Sequence, residues 1–175
     1  PLGFDDACFV AFSPDGKWIL SSGGDGVMRN HGWLQVFDAQ TRQSVAPPRK
    51  ESHFSPMTVF SPDSRTMVSA AATFNLKSCA VELREVPSGR PLGPIFSHGN
   101  SVVHVSFAPG GRRIVTTSND RTAQVWNVSD GQRIGKTLQH KNGVNSANFS
   151  PDGRFVVTAS ADGTGRSRPS ARASR

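Results

Sequence analysis

The sequence predicts an all-β chain made of repeated units of four antiparallel strands, set in an incomplete arc. Three observations predict it. Short runs of Val, Ile and Phe are separated by Pro, Gly, Asp and Ser, and helix-forming stretches are not prominent. One turn sequence recurs four times, as Phe12-Ser-Pro-Asp-Gly16, Phe60-Ser-Pro-Asp-Ser64, Phe107-Ala-Pro-Gly-Gly111 and Phe149-Ser-Pro-Asp-Gly153. The four Phe residues are 48, 47 and 42 residues apart, a period typical of four-stranded repeat units.

Each unit reads in the same order. A first strand ends in the Phe, as in ACFVAF, MTVF, VVHVSF and VNSANF. A tight turn follows, because Pro presets φ, Asp bonds its own local backbone and Gly tolerates a positive φ. The second strand starts on a basic residue, in Lys17-Trp-Ile-Leu-Ser21, Arg65-Thr-Met-Val-Ser69, Arg113-Ile-Val-Thr116 and Arg154-Phe-Val-Val-Thr158. Ile19, Met67, Ile114 and Val156 then take equivalent positions. Third strands are expected at 33–37, 79–83 and 122–126, and weaker fourth strands around 92–96 and 134–138. The units lie near residues 7–50, 51–97, 98–139 and 140–164. Short strands joined by recurrent turns form a meander of small sheets, and a period of this length is that of propeller blades.

Composition excludes several classes. No apolar run reaches the roughly 18 residues of a membrane-spanning helix, and no membrane partner is expected. No Met-initiated signal segment is visible, although the chain starts at Pro1 and a preceding stretch can be missing. Cys8 and Cys79 are too few for a disulfide scaffold. The net charge is +7, but Arg166, Arg168, Arg172 and Arg175 fall in the last ten residues, and removing these four leaves +3 for residues 1–165. The excess is a Ser/Arg/Pro/Ala tail, residues 165–175, expected to be disordered or a truncation artefact. It carries no aromatic residues for base stacking, so nucleic acid is an unlikely partner. Lys17, Arg65, Arg112, Arg113 and Arg154 read as solvated strand ends.

With these columns in place, the chain resembles the WD-repeat β-propeller family, over residues 7 to 164. The family pattern has a His before the first strand, an Asp after the second and a Trp in the third. Unit three supplies His98, Asp120 and Trp126, and unit four supplies His140 and Asp162 at the same separation of 22 residues. The resemblance implies a buried His–Ser/Thr–Asp–Trp network in each full blade, with Ser118 and Ser160 as hydroxyl members and Thr116 and Thr158 as alternates. Such a network satisfies polar groups inside a thin blade.

Units one and two depart from the pattern. Unit one has Asp25, an inserted GVMRNHG stretch, and Phe37 for the Trp. Unit two has Thr73 for the Asp and Leu83 for the Trp, with His53 at a poor offset. Unit four is expected to lack a third strand, since Gly165-Arg-Ser-Arg168 replaces an apolar run. Three blades and a half leave an open arc, which reads as part of a larger propeller whose other blades are needed for closure.

Nothing in the chain spells out catalysis. The glycines at 23, 24 and 26 do not lie between a strand and a helix, no Gly-x-Ser-x-Gly elbow occurs, and the five His never fall at zinc-ligand spacings. No catalytic, cofactor or metal residues are therefore assigned and no cofactor is expected. The repeat-breaking loops, residues 26–32 and 73–78, read either as recognition loops or as tolerated insertions. Met28, Arg29, Asn30, His31 and Trp33 give the first of them interface-like content. The expected function is a non-catalytic scaffold binding other proteins. A nucleic-acid-associated propeller and a propeller attached to a signalling enzyme such as a protein kinase are the alternatives.

Overall fold

The computed structural model describes residues 7–24, 32–51, 54–72 and 79–170. Among these residues the chain forms fifteen strands and no helix. The first sheet holds β1 (Ala7–Phe12), β2 (Trp18–Gly24), β3 (Gly32–Asp38) and β4 (Arg49–Glu51). The second holds β5 (Phe54–Phe60), β6 (Thr66–Ala72), β7 (Cys79–Glu85) and β8 (Pro91–His98). The third holds β9 (Val102–Phe107), β10 (Arg113–Ser118), β11 (Thr122–Asn127) and β12 (Arg133–Gln139). The fourth holds β13 (Val144–Phe149), β14 (Phe155–Ser160) and β15 (Gly165–Pro169). Every pairing is antiparallel between strands adjacent in sequence, as in propeller blades, and none of the four sheets closes on itself.

The register repeats from blade to blade. Phe12 pairs with Ile19, Phe60 with Met67, Phe107 with Ile114 and Phe149 with Val156. Each turn places its fifth residue at positive φ, in Gly16, Ser64, Gly111 and Gly153. Ser64 is the exception to glycine, and its buried hydroxyl accepts the N–H of Asp15 from the preceding blade at 3.1 Å. In blades one, two and four the turn Ser donates to the turn Asp and accepts the N–H five residues on. Ala108 and Gly110 carry no such side chains, so the third turn closes through backbone bonds alone.

One expectation is corrected here. Residues 165–169 form a third strand in blade four, paired with β14 from Phe155↔Pro169 to Ala159↔Gly165, and Ser170 is buried. Strand pairing uses backbone groups and needs no apolar run, and the open edge of β14 supplies them. Residues 171–175 lie outside the described residues.

Blades stack face to face. Leu20, Leu34 and Val36 of blade one meet Met67 of blade two. Val68, Val81, Leu83 and Phe96 meet Val105, Ile114 and Trp126 of blade three. Val115, Val125 and Leu138 meet Val144, Ala147 and Val156 of blade four. One side of each sheet thus covers its successor and the other its predecessor. The two outermost faces break this rule. Val10 is 61% exposed, although its counterparts Thr58, Val105 and Ala147 are buried. Val157 is 51% exposed, although Leu20, Val68 and Val115 at the same position are buried. Uncovered apolar faces of this kind drive association. Sedimentation of the 175-residue chain should show concentration-dependent self-association that Val157→Lys and Val10→Lys weaken. A compact monomer at all concentrations would contradict it.

Candidate functional site

The best-developed polar cluster lies inside blade three, where three segments converge. His98 ends β8, the strand before the blade. Thr116 sits on β10, and Trp126 follows on β11, paired with Ile114. The Trp126 indole N–H donates to Thr116 Oγ1 at 2.7 Å, and His98 Nε2 lies 2.6 Å from the same oxygen. On the other side of the ring, His98 Nδ1 is 3.1 Å from Asp120 Oδ2. Asp120 also accepts the backbone N–H groups of Gly99 and Thr122 at 2.9 Å each. An ionised carboxylate beside Nδ1 fixes the imidazole proton there, leaving Nε2 to accept from the Thr116 hydroxyl. The result is a continuous relay from Asp120 through His98 and Thr116 to Trp126.

The hydroxyl that joins His98 to Trp126 is therefore that of Thr116, not Ser118. Ser118 serves the neighbouring turn, accepting the Asp120 N–H and donating to the Asn100 carbonyl, both at 3.0 Å. Blade four repeats the division of labour. His140 Nε2 lies 2.9 Å from Thr158 Oγ1, and Nδ1 lies 3.4 Å from Asp162. Ser160 accepts the Asp162 N–H at 3.1 Å. Thr122 and Thr164, which are not among the sequence candidates, each bond the Asp two residues earlier through both N–H and hydroxyl. The signal was present as a shared Ser-x-Asp-x-Thr spacing in the two units.

The Trp column brings a second correction. Met67 pairs with Arg84, as Ile114 pairs with Trp126, so Arg84 and not Leu83 takes the Trp position in blade two. Leu83 faces the other way, into the seam with blade three. Arg84 is buried, and its Nε donates to Ser69 Oγ at 3.1 Å, the counterpart of the Trp126–Thr116 bond. Its two other nitrogens reach the Gly89 carbonyl at 3.1 Å and Glu82 at 2.6 Å. Phe37 holds the position in blade one and Arg168 in blade four.

Burial pushes His98 below the ordinary imidazole value, against the pull of Asp120. Burial works to raise Asp120, but the Thr122 hydroxyl, the Gly99 N–H and His98 outweigh it and hold the carboxyl below its usual range. Both directions describe a neutral imidazole beside a carboxylate. Because folding disfavours the protonated imidazole, the unfolded chain binds more protons once the pH falls below about 6.5. Stability should accordingly be full above that pH and decline below it, down to the folded-state pKa. Half-buried His104, also lowered by burial, contributes with the same sign. Urea midpoints at pH 7.5 and 5.5 should differ, and His98→Gln should flatten the difference. An unchanged slope in that variant would assign the titration elsewhere. Asp120→Ala should cost about 1–3 kcal/mol by stranding the buried His98 Nδ1–H and the part-buried Thr122 N–H, measured by the same unfolding.

The remaining sequence candidates are dispersed. Met28, Arg29, Asn30 and His31 lie outside the described residues, as do Asp25, His53 and the 73–78 loop. Trp33 is half-buried on β3. His104 lines a cleft along the first strands of blades two to four with Val59, Phe60 and Asn148. Among the described residues no three His, Cys, Asp or Glu side chains gather as a metal site, and no helix is long and apolar enough to cross a membrane.

Known proteins share this pattern. The family model described as "WD domain, G-beta repeat" matches residues 5–29, 89–127 and 131–166, together more than half of the chain. A curated relative, the nuclear distribution protein PAC1 of Arthroderma otae, is 24% identical over 131 residues. That alignment covers 67% of this chain and 28% of the relative's length.

Proposed function

Because the chain belongs to the WD-repeat family, whose domains generally serve as protein-interaction scaffolds, we propose that it is a non-catalytic scaffold presenting blade faces and loops to other proteins. One observation carries this reading. The polar residues that recur with the blade period are occupied with one another: Asp120 with Gly99, Thr122 and His98, and Thr116 with His98 and Trp126. A catalytic centre instead needs non-repeating groups converging on one pocket. His98, Ser118, Asp120, Trp126, His140, Ser160 and Asp162 act in this account as internal braces that hold the turns. Recognition falls to the turns and loops at the blade ends, for which Met28, Arg29, Asn30, His31 and Trp33 are the sequence candidates. The exposed faces around Val10 and Val157 need blade-like covers, which further blades of one parent protein would supply.

Affinity capture with the tagged protein, with and without nuclease and at two salt concentrations, tests the reading. Protein partners that survive nuclease treatment support the scaffold. Recovery lost to nuclease, with steep salt dependence on naked nucleic acid, would replace it by the nucleic-acid reading.

A further inference from the structure

The Trp column holds two arginines whose surroundings differ. Arg84 has a carboxylate of its own, because Glu82 stands two residues earlier on β7 and accepts from Nη2. The residue two before Arg168 is Arg166, so the same strand geometry places a second cation where blade two has an acid. The Arg168 Nε is buried and has no hydrogen-bond partner among the described residues.

Arg168 lies at a cleft of about 640 Å³ between β12 and blade four. Its cationic lining adds Arg113, Lys136 and Arg154, and its apolar wall includes Ile134 and Phe155. Arg113 is already engaged, donating to Ser170 Oγ at 2.7 Å and the Gly153 carbonyl at 2.9 Å. The acid on this lining, Asp152, takes the Ser150 hydroxyl and the Arg154 N–H. Gly135 has φ 70°, and a Cβ there would stand 3.3 Å from an Arg168 terminal nitrogen, so the glycine leaves room for the guanidinium.

We propose that this cleft binds an acidic side chain of a partner polypeptide, its carboxylate on Arg168 and its apolar neighbour against Ile134 and Phe155. The proposal rests on the scaffold reading and specifies the partner's chemistry. A carboxylate fits better than a nucleic-acid phosphate for two reasons. The equivalent arginine in this chain already takes a carboxylate, and the planar guanidinium matches it in-plane. The apolar wall suits a Leu or Phe side chain, whereas a polyphosphate chain would leave it unmatched.

The test uses the 175-residue chain and a fluorescein-labelled peptide alternating Glu with Leu and Phe, read by anisotropy. The peptide should bind, its Gln-for-Glu counterpart should bind at least about tenfold more weakly, and Arg168→Gln should weaken the acidic peptide about fivefold or more. The exposed Lys136→Gln leaves the strand untouched and should weaken it about twofold. Lys17→Gln, on blade one, should change nothing. The Arg168 Nε–H resonance should shift as peptide is added. Equal binding of the Gln peptide, an unaffected Arg168→Gln variant, a static resonance, or full displacement by equimolar oligothymidylate would each overturn the proposal. Peptide failure with protein partners still captured removes the cleft and leaves the scaffold. Binding at Arg168 with no partner captured does the reverse.

Discussion

Replacing Trp126 by Ala should destabilise the chain by about 3–5 kcal/mol, the range for truncating a buried aromatic. Trp126 is buried in the seam between blades two and three, edge-on to Phe96 at 5.7 Å between ring centroids. The Arg133 guanidinium lies over the ring, 5.2 Å from its centroid. Truncation opens a cavity in that seam and leaves Thr116 without its indole donor. Urea unfolding at concentrations where the chain is monomeric measures the loss. A change under about 1 kcal/mol would mean that the seam collapses around the gap or is not packed as described.

Arg84→Ala is expected to cost about 2–4 kcal/mol, although the residue replaced is charged. Its stem fills the place of a Trp, and its head satisfies Ser69, the Gly89 carbonyl and Glu82. Removing it strands Ser69 and the Gly89 carbonyl in a buried position and leaves the partly exposed Glu82 without this partner. Arg168→Ala, at the equivalent place on an edge strand, should stay within about 0.5 kcal/mol, since Arg168 makes none of those bonds. Equal costs at the two positions would show that the column, not the partners, sets the energy.

The blade pattern was legible in the sequence because it repeats in register: the column Ile19, Met67, Ile114 and Val156 takes equivalent positions, each pairing with the Phe that ends its first strand. Arg84 was misread for a physical reason. Residues 73–78 break the sequence repeat just before β7, and a slip of one residue in a strand exchanges its two faces, so Leu83 took the place of Arg84. An arginine also matches no apolar template, although its long stem buries readily. β15 was missed for a related reason, since its side chains are polar while its pairing is made by the backbone. In the candidate site, His98, Asp120 and Trp126 stood out by residue type and spacing. Thr116 could not be ranked above Ser118, because both are hydroxyl residues on β10 and the choice depends on how far each lies from the His98 ring.

The central claim is that the repeating polar residues brace the blade from within. A double-mutant cycle of Thr116→Val and Trp126→Phe tests it most directly, because each change removes one end of the Trp126–Thr116 bond while keeping most of the packing, and the loss of the Thr116–His98 bond, common to both Thr116 variants, cancels in the cycle. Equilibrium unfolding of the two single variants, the double variant and the unmodified chain should give a coupling of about 1 kcal/mol or more. Additive losses, with coupling below about 0.3 kcal/mol, would contradict the brace.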